Sequence, residues 1–267
     1  MRRMALGVCL LLAAWHAAVA AAAGFAAGFA ALVSPPRFEL TGRSGAVVRQ
    51  VFELTNRSAG PAKFRVHTAD FTLGADYSVA FQDELQPASC RPWVAIERPE
   101  VALPGGGTIR YRFEVQVPKG TPAGECRFGI LIEGDEAAVA QAGALRLPVV
   151  GRIGLIVYVI VGDGRPEIEV FGPQVVTLNG RKVPALQVHN AGNAHARLSG
   201  FLSGTDAKGI KYDFNPSDLP ILPGDVREVF LTPSTPDNDH PTLTFPVSVQ
   251  GTLEWGNQRT ELDERFE

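Results

Sequence analysis

Apolar and polar residues alternate along much of this chain with a period of two, which is the spacing of a half-buried β-strand. The segment 47–56 (VVRQVFELTN) shows the alternation around Val51 and ends at a turn-forming asparagine. Comparable runs are found at 63–68, 108–117, 127–133 and 145–161. Each run is bounded by Gly, Pro, Asn or Asp, which end strands and form turns. The pattern therefore predicts a series of short strands.

Helical signals are weak, because no segment carries the apolar stripe of an amphipathic helix over three turns. The segment from Asp135 to Ala142 comes nearest, but it is short and rich in alanine, and we interpret it as a loop with a helical turn. The chain also contains 28 Gly and 20 Pro, which suit turns between strands and disfavour long helices. An all-β fold is the prediction.

The order of strands and turns repeats after residues 162–166 (GDGRP), where the alternation breaks. Before the break, a strand ends at Asn56 and the motif LPG occurs at 103–105. After the break, a strand ends at Asn190 and the same motif occurs at 222–224. The alternative is that unrelated strands simply use the same turn residues. We interpret the repeat as two immunoglobulin-like β-sandwich domains in tandem, in residues 33–162 and 166–267.

Length and charge narrow the classes of partner. A chain of 267 residues that is 45% hydrophobic can bury two cores of ordinary size. Its 25 Lys and Arg against 28 Asp and Glu give a net charge of −3, which does not suit a protein that holds nucleic acid by its phosphates. No nucleic-acid partner is predicted.

The amino terminus has the form of a secretory signal peptide. Arg2 and Arg3 precede an apolar run over 4–20 that ends among small residues, and we predict a signal peptide over residues 1–23. The alternative is a retained membrane anchor, because the alanine-rich stretch continues to Leu32. A signal peptide places the mature protein in the bacterial periplasm or outside the cell.

Two cysteines remain after removal of such a leader, Cys90 and Cys126. In an exported protein a lone pair of cysteines is more often joined than free, so we predict a disulfide between them. Two buried free thiols are the alternative. A metal site is not predicted, because two cysteines without a nearby histidine make an incomplete set of ligands.

No catalytic or cofactor motif emerges elsewhere. His189 and His195 flank a turn, but two histidines six residues apart are weak grounds for a metal site. The glycines at 105–107 precede neither a helix nor a Lys-Ser/Thr pair, so they indicate a turn rather than a phosphate cradle. No serine lies in the G-x-S-x-G frame of a hydrolase elbow. We predict no enzymatic activity, no cofactor and no small-molecule substrate.

The segment 145–161 (LRLPVVGRIGLIVYVIV) is unusually long for a strand. As a strand it places Leu145, Leu147 and Val149 on one face. Beyond residue 151 both faces become apolar, so that half should be buried. The first half contains Pro148, which is tolerated at a sheet edge. An apolar row on an exposed edge strand tends to pair with another chain unless a partner covers it. We therefore predict that a partner binds here by strand addition.

At this point the chain resembles the periplasmic pilus (fimbrial) chaperones of chaperone/usher systems. The resemblance is strongest over residues 33–162, and it rests on short motifs: VSPPRF at 33–38, Asn56 at a strand end, LPG at 103–105, the row Leu145, Leu147 and Val149, and Arg152 after it. Members of this family consist of two immunoglobulin-like sandwiches. They lend the last strand of the first domain to a pilin subunit that lacks one.

The resemblance implies roles for particular residues. It implies that Leu145, Leu147 and Val149 enter the open groove of a secreted pilin-like or fibre subunit. Family members also hold the carboxylate of the subunit's last residue with two basic residues between the domains, and Arg37 and Arg152 lie near those positions. An outer-membrane usher is implied as a further partner.

Two functions from different classes follow. The first is a periplasmic chaperone that binds and caps secreted pilus or surface-fibre subunits by strand donation. The second is a structural or adhesive cell-envelope protein, whose sandwiches are built into a fibre or an envelope complex. Soluble recovery with a bound subunit distinguishes the first from the second, which should sediment with envelope or filaments.

Overall fold

The computed structural model describes residues 29–86, 89–134, 138–142, 145–238 and 241–267. The predicted signal peptide, residues 1–23, lies outside the described residues. Within the described part, no helix is long and apolar enough to cross a membrane. The described chain is built almost entirely of β-strands, which confirms the fold class predicted from the period-two alternation.

The strands of the first sandwich alternate in the way the sequence predicts. In β8, for example, Tyr111, Phe113 and Val115 are buried whereas Arg110 and Arg112 point outward. In chain order the strands are β1 (Ala31–Ser34), β2 (Arg37–Gly42), β3 (Val47–Asn56), β4 (Ala62–Leu73), β5 (Val79–Gln82), β6 (Val94–Ile96), β7 (Glu100–Leu103), β8 (Thr108–Gln116), β9 (Gly124–Gly134), β10 (Ala138–Ala142), β11 (Leu145–Val149) and β12 (Arg152–Val161).

Two sheets enclose the first core. One has the order β1-β3-β8-β6, and the other has the order β2-β12-β9-β4-β5, with β7 also paired to β4. Strand β12 runs antiparallel to β9 and parallel to β2. The inward-facing side chains are large and apolar, and the core includes Phe52, Leu54, Phe64, Phe113, Phe128, Ile130 and Val157.

The second sandwich has a core of its own, which includes Leu186, Val188, Leu202, Phe214, Leu231, Val249 and Phe266. Its strands are β13 (Ile168–Leu178), β14 (Arg181–Asn190), β15 (Ser199–Thr205), β16 (Lys211–Pro216), β17 (Val226–Ser234), β18 (Val247–Trp255) and β19 (Gln258–Phe266). The order is β13-β14-β17-β16-β15-β18-β19. Strand β17 pairs with β14 over its first half and with β16 over its second, so the sheet folds over into two layers at this strand.

Strands β10 and β11 form a separate two-stranded ribbon. This corrects two expectations. The alanine-rich segment 135–142 is not a helical turn over its described residues, since 138–142 form a strand with 145–149 as its partner. The predicted single strand over 145–161 is interrupted at Val150 and Gly151. Residue propensity did not indicate a strand in 138–142, because alanine favours helices. This segment forms a strand because it pairs with β11.

A disulfide joins Cys90 to Cys126 and ties the segment after β5 to strand β9. The two Cα atoms lie 6.1 Å apart, across a sequence separation of 36 residues. Closing a loop of this size in the unfolded chain stabilises the fold by about 3 to 4 kcal/mol in the chain-entropy model.

The two asparagines that mark the repeat occupy matching positions. Asn56 is buried and its Nδ2 donates hydrogen bonds to the carbonyls of Gly60, Leu103 and Pro104, at 2.8, 3.2 and 3.1 Å. Asn190 is also buried, and its Nδ2 donates to the carbonyls of Ala194 and Ile221 at 2.8 and 2.9 Å. Each asparagine therefore binds a strand end to a distant turn.

The hydrogen bonds also correct the register of the repeat. The N–H of Gly106 donates to the carbonyl of Asn56, and the N–H of Gly224 donates to that of Asn190. Both glycines have left-handed φ values, 72° and 81°, which side chains rarely adopt. Gly106 thus corresponds to Gly224, so the two LPG motifs are offset by one residue in the folded protein.

Candidate functional site

The ribbon and the start of β12 present a free strand edge. Strand β11 pairs with β10 on one side, and no strand among the described residues pairs with its other side. Strand β2 reaches β12 only from Ile156 onward, so the preceding residues of β12 pair with β9 alone. Unpaired N–H and C=O groups at such an edge are a template for another strand.

The predicted binding row lies on this edge strand. Leu145, Leu147 and Val149 are at alternate positions of β11, and the register places them opposite Ala142, Ala140 and Ala138 of β10. The side chains of the row lie outside the described residues. In this register each of the three large apolar residues is paired with an alanine of β10.

A pair of arginines shares one carboxylate at the base of the ribbon. Arg152 Nη2 lies 2.5 Å from Glu133 Oε1, and Arg65 Nη2 lies 3.5 Å from Glu133 Oε2. The Glu133 side chain is only 8% exposed, whereas those of Arg152 and Arg65 are 42% and 58% exposed. Two guanidinium groups against one carboxylate leave a positive charge at the surface, beside the free edge.

Arg37 belongs to a different ion pair. Its Nε lies 3.0 Å from Glu39 Oε1, and in the sheet Arg37 is opposite Ile156. That position is four residues along β12 from Arg152, which corresponds to about 13 Å of strand. The structure therefore does not bring the two predicted carboxylate-binding arginines together on one group.

An aromatic side chain lies between these two positions. Gly154 is between Arg152 and Ile156 on the same face of β12, and a Cβ there would overlap the ring of Phe81. The same ring also covers Gly129 on β9. Phe81 comes from the short strand β5, which folds back beside β4. Two glycines on neighbouring strands thus form a notch for one ring, and nothing in the local sequence indicated this.

A polar cluster joins the two sandwiches. His195, from the turn between β14 and β15, has a side chain only 4% exposed. Its Nδ1 lies 2.5 Å from Oε2 of the fully buried Glu125, and its Nε2 lies 3.6 Å from Glu39 Oε1. The imidazole stacks on Tyr158, with ring centroids 4.0 Å apart. Arg197 also reaches Glu39, with Nε at 3.2 Å.

The charges and hydrogen bonds of this cluster shift the pKa values of Glu39 and His195. The hydrogen bond from His195, together with the charges of His195 and two nearby arginines, lowers the pKa of Glu39 to about 2 against the opposing effect of burial. Burial alone would lower the pKa of His195, but hydrogen bonds and charges from Glu125 and Glu39 outweigh it and raise the pKa above its ordinary value.

A second set of contacts links the sandwiches on another side. Tyr77 donates its hydroxyl hydrogen bond to the carbonyl of Glu228 at 3.2 Å. Arg227 donates to the carbonyls of Gly74 and Leu73, and its guanidinium lies 5.2 Å from the centre of the Tyr77 ring. Between the two sets, a small apolar cluster contains Phe71, Tyr158 and Leu222.

The histidines that flank the turn after β14 face different groups. His189 Nδ1 lies 3.2 Å from Glu169, whereas His195 binds Glu125. They therefore do not converge on one site. No group of three or more His, Cys, Asp or Glu side chains within the described ranges is arranged to hold a metal ion.

Comparisons with known proteins bear on the fold. No protein-family model matches the chain, and no curated protein matches it in sequence. Among solved structures, the class 5 fimbriae chaperone CfaA is similar at 13% identity and a TM-score of 0.47, covering 89% of this chain and 99% of that one. The E. coli chaperone DraB is similar at 14% identity and a TM-score of 0.45, covering 90% and 97%.

The Pseudomonas aeruginosa CupB2 chaperone is also similar, at 11% identity and a TM-score of 0.44, covering 88% of this chain and 100% of that one. The likeness concerns the fold. The fold and the site define an all-β protein of two immunoglobulin-like sandwiches, with a two-stranded ribbon in which β11 pairs with no described strand other than β10. In that fold the chain is similar to fimbrial chaperones.

Proposed function

We propose that this protein is an exported, non-enzymatic chaperone that caps a secreted pilus or surface-fibre subunit by lending it a β-strand. Residues 1–23 serve as the signal peptide, and the mature protein works in the periplasm as two domains, 33–162 and 166–267. The free edge of β11 is the observation that carries the proposal. An outer-membrane usher would receive the capped subunit.

The ribbon suits strand donation for a physical reason. A β-strand with one open edge offers main-chain hydrogen bonds to an incoming strand, and apolar side chains at alternate positions set its register. Strand β11 leads through Val150 and Gly151 into β12, which pairs with β9 from Arg152 and also with β2 from Ile156. The edge is thus connected at one end to the sheet of the first sandwich.

Hydrogen exchange tests the proposal directly. The chain is produced with an exported fibre subunit that lacks one strand of its own sandwich, and amide exchange is compared with and without the subunit. We expect the subunit to be recovered soluble in complex and the amides of 145–149 to exchange more slowly, since strand addition occupies those on the free edge. The amides of β16, on the second sandwich, should be unchanged.

A complex in which 145–149 stays unprotected would show that the subunit binds elsewhere. A chain that sediments with envelope or filaments, and yields no soluble complex, would favour the structural or adhesive function instead. The exchange and sedimentation results both come from one preparation of the chain with the subunit.

We also propose that Arg152 or Arg37 contacts the carboxylate at the end of the bound subunit; because the two lie about 13 Å apart along the sheet, one of them would hold it. Each is about two-fifths exposed, and Arg152 lies beside the free edge. Replacing the arginine that holds the carboxylate by glutamine should weaken capture more than fivefold, because a charge-assisted hydrogen bond contributes more than about 1 kcal/mol. Arg110→Gln, on the outer face of β8, is the matched control.

Titration calorimetry with the same subunit measures the binding affinities of the three variants. The affinities show which arginine contacts the carboxylate. Affinity lost in Arg152→Gln alone would assign the carboxylate to the base of the ribbon. Affinity unchanged in both would remove these arginines from the site.

A further inference from the structure

The buried histidine between the two sandwiches has no role in strand donation, yet it sits in an unusual environment. His195 projects from the second sandwich onto the outer face of the first. Both its backbone N–H and its ring Nδ1 reach the same oxygen, Glu125 Oε2, at 2.7 and 2.5 Å. One carboxylate of the first sandwich therefore holds this turn of the second.

Charged and titratable groups surround the imidazole from every neighbouring element. They are Arg37 and Glu39 on β2, Glu125 and Arg127 on β9, Tyr158 on β12, and Arg197 and Asp218 of the second sandwich. Arg197 lies between Glu39 and Asp218, at 3.2 and 3.6 Å. Glu39 thus keeps cationic partners whatever the state of His195.

Glu125 has fewer cationic partners than Glu39. Its side chain is fully buried, its Oε1 has no hydrogen-bond donor, and the nearest arginine nitrogen, Arg127 Nη1, is 3.7 Å away. A buried carboxylate is costly unless it is paired and hydrogen-bonded. A protonated His195 supplies both the charge and a donor at 2.5 Å, whereas a neutral ring supplies no charge.

We propose that His195 is a proton-controlled lock between the two sandwiches, closed when its imidazole is protonated and pairs with Glu125, and weakened when the proton leaves. The loss of the proton leaves Glu125 buried beside a neutral ring. The contact then opens more readily, while Tyr77 and Arg227 still link the sandwiches on the other side. The second sandwich would therefore be held most firmly at mildly acidic pH.

The direction of the pH dependence follows from the raised pKa of His195. A group whose pKa is higher in the folded protein stabilises it below the unfolded value, which is 6.5 for histidine, and this contribution is lost as the pH rises through the folded value. Stability from the lock should accordingly be present at pH 6 and decline above it.

Thermal unfolding of the full chain at several pH values between about 6 and 9 tests the lock, with the imidazole signals followed by NMR. We expect His195 to titrate above 6.5, and the melting temperature of the wild type to fall by roughly 3 °C more than that of His195→Gln over this range. His189→Gln is the matched control, because that histidine pairs with Glu169 within the second sandwich.

Glu125→Gln provides a second variant should His195→Gln fail to fold. The amide has the same shape and no charge, so its melting temperature should lack the extra fall with pH. A His195 that titrates at or below 6.5, or an equal fall in the wild type and in the foldable variants, would overturn the proposal.

Discussion

The triple variant Leu145→Ser, Leu147→Ser and Val149→Thr should lose subunit capture while both sandwiches stay folded. These residues lie on β11, which pairs with β10 in a ribbon separate from the larger sheets of the two sandwiches. If the row serves a bound subunit, as strand donation requires, replacing these side chains should open no cavity in either core. Burying each side chain against a subunit would contribute on the order of 1.5 to 3 kcal/mol, so losing all three should reduce affinity by several orders of magnitude.

A melting curve and a binding assay on the same preparation check this prediction. If the row instead packed inside the first sandwich, the substitutions would cost about 2 to 5 kcal/mol of stability each, and the melting temperature would fall sharply. Phe201→Ser is a suitable control, because Phe201 is 85% exposed on the second sandwich and its loss should leave capture unchanged. A stable triple variant that still captures the subunit would contradict strand donation by β11.

Asn56→Ala should destabilise the first sandwich by about 3 to 5 kcal/mol. The side chain is fully buried, and its Nδ2 serves three backbone carbonyls, those of Gly60, Leu103 and Pro104. Alanine would remove these hydrogen bonds and those that Oδ1 accepts from Ser58, each contributing about 1 kcal/mol. The carbonyls of Gly60 and Pro104 would keep the Ser58 hydroxyl and the N–H of Gly107 as donors. Asn190→Ala should act in the same way on the second sandwich, through Ala194 and Ile221.

Chemical denaturation of the full chain measures both effects. Asn215→Ala is the matched control, since the Asn215 amide is exposed and donates only to the Ser234 hydroxyl at 3.3 Å. That change should stay within about 0.5 kcal/mol of the wild type. A loss for Asn56→Ala as small as that of the control would mean that water readily replaces the amide in the turn.

Sequence reasoning predicted local features well because each depends on a few neighbouring residues. Period-two alternation identified strands such as β3 and β8, and the asparagine at each strand end marked the turns that the two sandwiches share. It misassigned 138–142, because an alanine-rich segment has no strand propensity of its own and becomes a strand only by pairing with β11. It also gave no sign of the interruption at Val150 and Gly151.

The surroundings of the candidate site depend on contacts between distant segments. Phe81 fills a notch formed by Gly129 and Gly154, three positions that are unrelated in the sequence. His195 meets Glu125 across 70 residues, and no motif links the two. Residue types showed that charges were present, but only packing determined which of them pair and which are buried.

The sequence by itself determined the all-β class, the strand alternation and the turn asparagines, since these follow from side-chain periodicity and backbone preference. Only the tertiary structure decided that Arg37 and Arg152 serve different carboxylates, with the ring of Phe81 over the position between them. It also decided that a histidine of one sandwich contacts a buried glutamate of the other. Such pairings depend on strand order and on the docking of two sandwiches, which alternation along a single strand does not encode.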